Sequence, residues 1–170
     1  MDKKEWDKVL DVNLGGTFNC SRAVIETMKK RGGGKIINIS SVAGKRMSYF
    51  AAADYTASKA GILAFTRHIA FELGPFKINV NTICPGFTLT PLVEILSTPE
   101  ELESLRNKIP LKELARPEDM ADAAVFLASN RARMVTGTSL DVDGGLSLGL
   151  QDWESYVKSR KEALAKRQQK

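Results

Sequence analysis

The residues best placed to do chemistry are those of Tyr55-Thr56-Ala57-Ser58-Lys59. Four residues make about one helical turn, so on a helix the phenol and the amine share a face. A free tyrosine ionises near about pH 10, too high for an effective base at neutrality. A neighbouring ammonium favours the phenolate, and a shift of about three pH units requires roughly 4 kcal/mol of differential stabilisation. One fixed cation in a partly dry site supplies much of that, so the pair reads as a proton-transfer device. Upstream, Ile37-Asn38-Ile39-Ser40-Ser41-Val42-Ala43-Gly44 reads as a strand delivering hydroxyls at its carboxyl end. Ligands of open α/β sheets bind beyond that end. Downstream, Asn79-Val80-Asn81-Thr82-Ile83-Cys84-Pro85-Gly86 ends a second strand, with Thr88 and Thr90 following it.

The elements that must position these groups are legible as periodicities. Asp2 and Glu5 make a capping-box-like start for a helix running to about Arg31, with Trp6, Val9, Leu10, Leu14, Phe18, Val24, Ile25 and Met28 at helical spacing. Gly15-Gly16 should bend that helix or admit another backbone, and Gly32-Gly33-Gly34 ends it. Lys35 to Ser40 is β-branched and strand-like. Residues 54–73 return to helical period with Ala57, Ile62, Phe65, Ile69 and Leu73 as core positions, and Gly74-Pro75 stops them. Ile78 to Ile83 is a second strand. Residues 87–112 read as a mobile segment holding one short acidic helix, Pro99 to Lys108. Pro117, Glu118 and Asp119 open a helix to about Ser129, and Thr138 to Val142 is a third strand closed by Asp143-Gly144-Gly145. Strands separated by helices imply parallel βαβ units and an α/β fold. Residues 1–150 form one domain on this reading, and 151–170 a basic helical tail. Three strands make a thin sheet, whose first strand would have an unpaired edge.

Six ordered blocks resemble the short-chain dehydrogenase/reductase family from the first residue to about Gly145. They are Asp11 to Phe18, Asn38 to Gly44, Tyr55 to Gly61, Asn79 to Gly86, Arg116-Pro117-Glu118-Asp119, and Leu140 to Gly145. The resemblance implies a partial Rossmann-like, doubly wound parallel sheet, consisting of the last three strands with covering helices. It implies an oxidoreductase that moves hydride between NAD or NADP and an alcohol/ketone substrate. Tyr55 would be the general acid/base, Ser41 would hold the substrate oxygen, and Lys59 would lower the Tyr55 pKa and bind the nicotinamide ribose. Asn13 would hold a water linking Lys59 to solvent. Pro85, Gly86, Thr88 and Thr90 would border the nicotinamide and pyrophosphate. Ser40 remains an alternative hydroxyl, because Ser41 precedes Tyr55 by one residue more than the family commonly shows. The family also implies a homodimer or homotetramer assembled through residues equivalent to 2–31, 54–73 and 138–142.

The Gly-rich βαβαβ half with which family members begin is absent from this sequence, as is any residue that would choose between NAD and NADP. The reading is therefore of a carboxy-terminal fragment. At about 25 cal/mol per Å², several hundred Å² of uncovered apolar surface would cost on the order of 10 kcal/mol, so the chain alone is expected to be marginal, oligomeric or aggregation-prone. A non-catalytic remnant serving assembly, or half of a split enzyme, stands as the alternative function. Lys45, Arg46, Met47, Tyr49 and Phe50 are expected along one side of the substrate pocket, and Phe87, Leu89, Leu92, Val93 and Leu96 as an apolar lid.

The remaining features are blander. The net charge of +5 divides into +2 over residues 1–150 (19 basic, 17 acidic) and +3 over residues 151–170 (6 basic, 3 acidic). A short basic tail is more often a solvated helix than a nucleic-acid or lipid contact, so neither partner is expected. No run of about eighteen apolar residues or signal-like start is present, and two cysteines are too few for a disulfide framework. A cytoplasmic setting and no metal site are expected. His68 reads as packing or surface and Cys84 as a small apolar filler.

Overall fold

The computed structural model describes residues 2–47, 51–149 and 153–168; Tyr49 and Phe50, expected at the pocket, lie outside the described residues. The chain divides into two compact units, Met1–Pro85 with Glu118–Val142, and Gly86–Pro117 with Asp143–Lys170.

The first unit is built on three parallel strands in the order β1-β2-β3: β1 (Gly34–Ile39), β2 (Ile78–Pro85) and β3 (Ser139–Val142). Ile36 lies opposite Val80, and Cys84 opposite Asp141. Among the described residues β1 pairs only with β2, so its other edge is open, as the three-strand reading implied. The β-branched content of β2 suits a strand buried on both faces: Val80, Thr82, Ile83 and Cys84 are all fully covered.

Helix α3 (Ala53–Leu73) carries β1 over to β2. Its buried stripe is Asp54, Ser58, Ile62, Leu63, Thr66, Ile69, Ala70 and Leu73, close to an i, i+4 repeat. Its last residues, Ile69, Ala70 and Leu73, pack with Ile36, Ile78 and Val80, flanked by Ile25, Met28 and Phe65. Its first two, Asp54 and Ser58, are polar. Tyr55 and Lys59 each follow a stripe residue by one position, which leaves both half-buried. Propagation ends at a 3-10 turn, Gly74–Phe76, after which Lys77 takes a left-handed φ of 58°.

The first helix keeps helical backbone angles through Gly15-Gly16. Helix α1 (Lys3–Leu10), capped by the Asp2 carboxylate on the Lys4 amide, runs into a π-helical turn, Asp11–Gly15. Helix α2 (Gly16–Lys30) then continues with Gly16 at helical φ −60°. The extra residue of a π turn is accommodated within the helix, so no break is required. The close approach is made from the other side: a side chain at Gly61 of α3 would lie 2.8 Å from a Leu14 methyl. Phe18 meets Phe65 edge-on at 6.0 Å between ring centroids, completing the α2–α3 contact. Helix α6 (Pro117–Ala128), all but its first residue in this unit, buries Leu127 and leaves Val125 and Phe126 exposed.

The second unit contains α4 (Pro91–Leu96), α5 (Pro99–Lys108) and α7 (Trp153–Gln168). Helix α5 has the bounds expected from sequence and a complete capping box between Thr98 and Glu101. Helix α4, capped by Thr90 and started by Pro91, was not expected. The Asp143 carboxylate accepts from the amides of Gly145 and Ser147 at 2.8 Å each, folding the Gly144-Gly145 turn under Ile109 and Pro110. No described helix is long and apolar enough to cross a membrane.

Candidate active site

Three features of the first unit bring the chemical groups together. At the carboxyl end of β1 the chain enters a 3-10 turn, Val42–Gly44, with Ser41 as its cap. This turn packs on α3 one turn after Tyr55. A Cβ at Gly44 would lie 2.8–2.9 Å from the backbone of Lys59 and Ala60. The Ser40 hydroxyl donates to the Lys59 carbonyl at 2.8 Å. Glycine at position 44 is thus a condition for setting the Ser41 turn against the helix that bears Tyr55 and Lys59.

The two serines divide their work. Ser40 is 2% exposed and its hydroxyl is committed to Lys59 O. Ser41 is half-buried, and its Oγ accepts from the Ala43 amide at 3.1 Å, an arrangement that leaves the hydroxyl proton available to a further acceptor. Of the two hydroxyls that the sequence offered, that of Ser40 is spent on Lys59 O and that of Ser41 keeps its proton.

Lys59 reaches back to β1, where its Nζ donates to the Ile39 carbonyl at 3.2 Å, and lies 5.5 Å from the centre of the Tyr55 ring. Burial holds its ammonium below the usual lysine range. Asn13, in the π turn, donates from Nδ2 to Ser58 Oγ at 3.0 Å, and Ser58 donates to the Tyr55 carbonyl at 2.7 Å. Asn13 is therefore joined to the turn of α3 between tyrosine and lysine. Its own carbonyl accepts from Thr17 Oγ1 at 2.7 Å. The Asp54 carboxylate, buried at the start of α3, accepts from the Tyr55 amide at 2.7 Å. Ser58 and Asp54 escaped the sequence reading. Their signal was a polar residue on the buried stripe, three residues after Tyr55 and one before it.

Pro85 ends β2 opposite Val142. Gly86, Thr88 and Thr90 belong to the second unit. A side chain at Gly86 would stand 2.6 Å from Asp143 Cβ. Thr88 Oγ1 donates to Gly86 O at 3.3 Å, and Thr90 Oγ1 accepts from the Val93 amide at 3.4 Å as the cap of α4. Of the expected lid residues, Leu92 and Leu96 are 65% and 72% exposed.

Lys45, expected along the pocket, is paired within this unit. Its Nζ lies 2.5 Å from Asp141 Oδ1 of β3 and 3.4 Å from Ser139 O, so its charge is met within the unit. His68 is a surface residue paired with Glu72 at 3.2 Å, and Cys84 is buried against Val42 and Leu63.

A parallel sheet whose strand tips gather a serine, and a helix offering tyrosine and lysine beside it, define a class of nucleotide-dependent oxidoreductase folds. Residues 1–147 match the family described as Enoyl-(Acyl carrier protein) reductase. The chain belongs to the short-chain dehydrogenase/reductase family. It is 43% identical over 147 residues to a 3-oxoacyl-[acyl-carrier-protein] reductase of Chlamydia muridarum, covering 86% of this chain and 58% of that one. It is 41% identical over 148 residues to the human (3R)-3-hydroxyacyl-CoA dehydrogenase, with 86% and 56% covered. A 3-oxoacyl-[acyl-carrier protein] reductase of Brucella melitensis superposes with a TM-score of 0.84 at 43% identity, over 88% of this chain and 55% of that one. Another solved reductase from Brucella melitensis, with bound NAD, gives 0.80 at 42% identity over 88% and 54%. The chain therefore spans a little over half the length of the relatives it matches.

Proposed function

We propose that this chain carries the proton-transfer half of an NAD- or NADP-dependent reductase acting on a 3-oxoacyl thioester, reversibly forming the 3-hydroxy product. The observation that supports this most is the joining of Ser41, Tyr55 and Lys59 through Gly44, Ser40 and Ser58. The substrate class follows the names of two relatives that handle the oxo and hydroxy forms of one acyl group.

On this reading the Ser41 hydroxyl donates to the substrate carbonyl oxygen and fixes its orientation. As charge develops on that oxygen, Tyr55 gives it the phenolic proton. The Lys59 ammonium favours the phenolate left behind, and its partial burial strengthens that attraction by excluding water. Asn13 keeps the intervening turn of α3 in place through Ser58, and a water on its polar side would return the proton from solvent. A nicotinamide cofactor, when bound, supplies or accepts the hydride. The residues present fit its nicotinamide end. Lys59 and Tyr55 offer a cation and a hydroxyl to ribose oxygens. By the family resemblance, Pro85, Gly86, Thr88 and Thr90 would border the ring and pyrophosphate. The assembly is proposed to be a homodimer or homotetramer.

The test is oxidation of NADH and NADPH followed by absorbance with a short 3-oxoacyl thioester, a sugar ketone and a steroid ketone as alternatives. Turnover with the thioester is expected to exceed that with the other two. Equal rates, or a preference for either of the others, would reject the substrate assignment. A second reading, half of a split enzyme, is favoured by the open edge of β1 and by Val12 and Ile39 at 65% and 49% exposure. Turnover appearing only after mixing with an amino-terminal family half would select it.

A further inference from the structure

Lys45, expected along the pocket, is also one end of a chain of contacts beside the candidate serine. The turn begins at Ser41 and ends at Lys45. At its end, Lys45 Nζ lies 2.5 Å from Asp141 Oδ1, with the two side chains 28% and 30% exposed. Asp141 sits directly opposite Cys84 in the β2–β3 register. Cys84 is completely buried and packs on Val42, inside the same turn. Burial pushes the Cys84 thiol up to about 11. The turn is thus tied at Val42 to the tip of β2 and at Lys45 to β3.

We infer that Lys45 and Asp141 are positioning residues that clamp the Ser41 turn onto β3, with buried Cys84 of β2 packed against Val42 of the same turn. The inference rests on the proposed reaction for its purpose, but the clamp itself is a statement about local stability. On the other side, the same turn is set by Gly44 and Ser40 against α3. With both sides fixed, the Ser41 hydroxyl has one position relative to Tyr55. Loosening one side lets the turn swing while the helix stays in place. Misplacement of a reacting group by about 1 Å can cost up to about 100-fold in rate.

The experiment uses the whole chain with Cys20→Ser, which removes the exposed thiol, and adds Lys45→Met, Asp141→Asn, Lys45→Arg and the reversed pair Lys45→Asp with Asp141→Lys. The rate at which a small disulfide reagent modifies Cys84 reports opening of the turn. Lys45→Met and Asp141→Asn should each raise that rate about 10-fold, with little dependence on urea, the mark of local opening rather than unfolding. Lys45→Arg and the reversed pair should recover most of the protection. Unchanged rates, or rises with the full urea dependence of global unfolding, would overturn the clamp. In the same variants kcat for thioester reduction should fall about 10-fold with the cofactor KM unchanged, and Lys45→Arg should recover it. Protected turns with unimpaired kcat in every variant would overturn it equally. A parent chain without turnover, alone and when mixed with an amino-terminal family half, would remove the proposed reaction, while the thiol rates would still decide whether the clamp exists.

Discussion

Gly44→Ala is the substitution whose consequence the geometry fixes most closely. The added Cβ would stand 2.8 Å from the Lys59 carbonyl carbon and 2.9 Å from both Lys59 O and Ala60 N. All three are backbone atoms in the second turn of a 21-residue helix, so none can rotate away as a side-chain tip would. The turn must retreat from α3, straining the Ser40–Lys59 hydrogen bond and moving Ser41. Overpacking of this kind costs about 1–3 kcal/mol, and for a chain of this size that lowers Tm by about 2–12 °C. Gly16→Ala is the control. Gly16 has helical φ −60° and nothing within 4 Å of its would-be Cβ. It should gain about 0.5–1 kcal/mol, raising Tm by a few degrees at most. Gly61→Ala falls between them, because the atom it meets is a Leu14 methyl that can shift. Melting of the three variants by circular dichroism checks the order. A Gly44→Ala chain that melts with the parent, or a Gly16→Ala chain that melts below it, would refute the packing argument.

Three further outcomes follow. Because the folded Cys84 thiol is raised from 9.0 to about 11, its stabilisation is complete below about pH 9 and is lost as pH rises through 11. It totals on the order of 3 kcal/mol. Cys84→Ala should therefore lose less urea resistance between pH 8 and 10.5 than the parent, and an equal loss would contradict the assignment. Lys59 has the opposite linkage: the cost of burying its charge is present below its depressed pKa and relieved as pH rises through it. Lys59→Met should lack that alkaline relief while abolishing turnover; a stability profile parallel to the parent's would argue against a half-buried ammonium. Gly144→Ala forces a φ of +62° on a residue whose Cβ would meet Ile109 at 2.5 Å. It should cost about 2 kcal/mol or more by urea titration, and a neutral result would refute the turn geometry.

Much of this fold was legible in the sequence because its cues are local. The strand cores at Lys35 to Ile39 and Ile78 to Ile83 announce themselves by β-branched runs, and α5 by Pro99 and its acidic first turn. Helix α4 had the same kind of signal in Thr90 and Pro91, but six residues give little periodicity to notice. What stayed hidden is long-range. The pairing of Lys45 with Asp141 and of Asn13 with Ser58 joins residues far apart in the chain, and a charge read alone says nothing of its partner. Gly15-Gly16 shows the same limit: the pair marks where the helix turns irregular, as the π turn Asp11–Gly15, but not that Gly61 on the facing helix meets Leu14 there.

The central claim is that the phenol of Tyr55 moves the proton, and Tyr55→Phe tests it with least ambiguity, since it removes a single oxygen and leaves the ring that Lys59 overlies. Single-turnover oxidation of NADPH by a 3-oxoacyl thioester should slow about 100- to 10,000-fold, with cofactor affinity and melting temperature essentially those of the parent. A phenylalanine variant that turns over within a factor of ten of the parent would contradict the account.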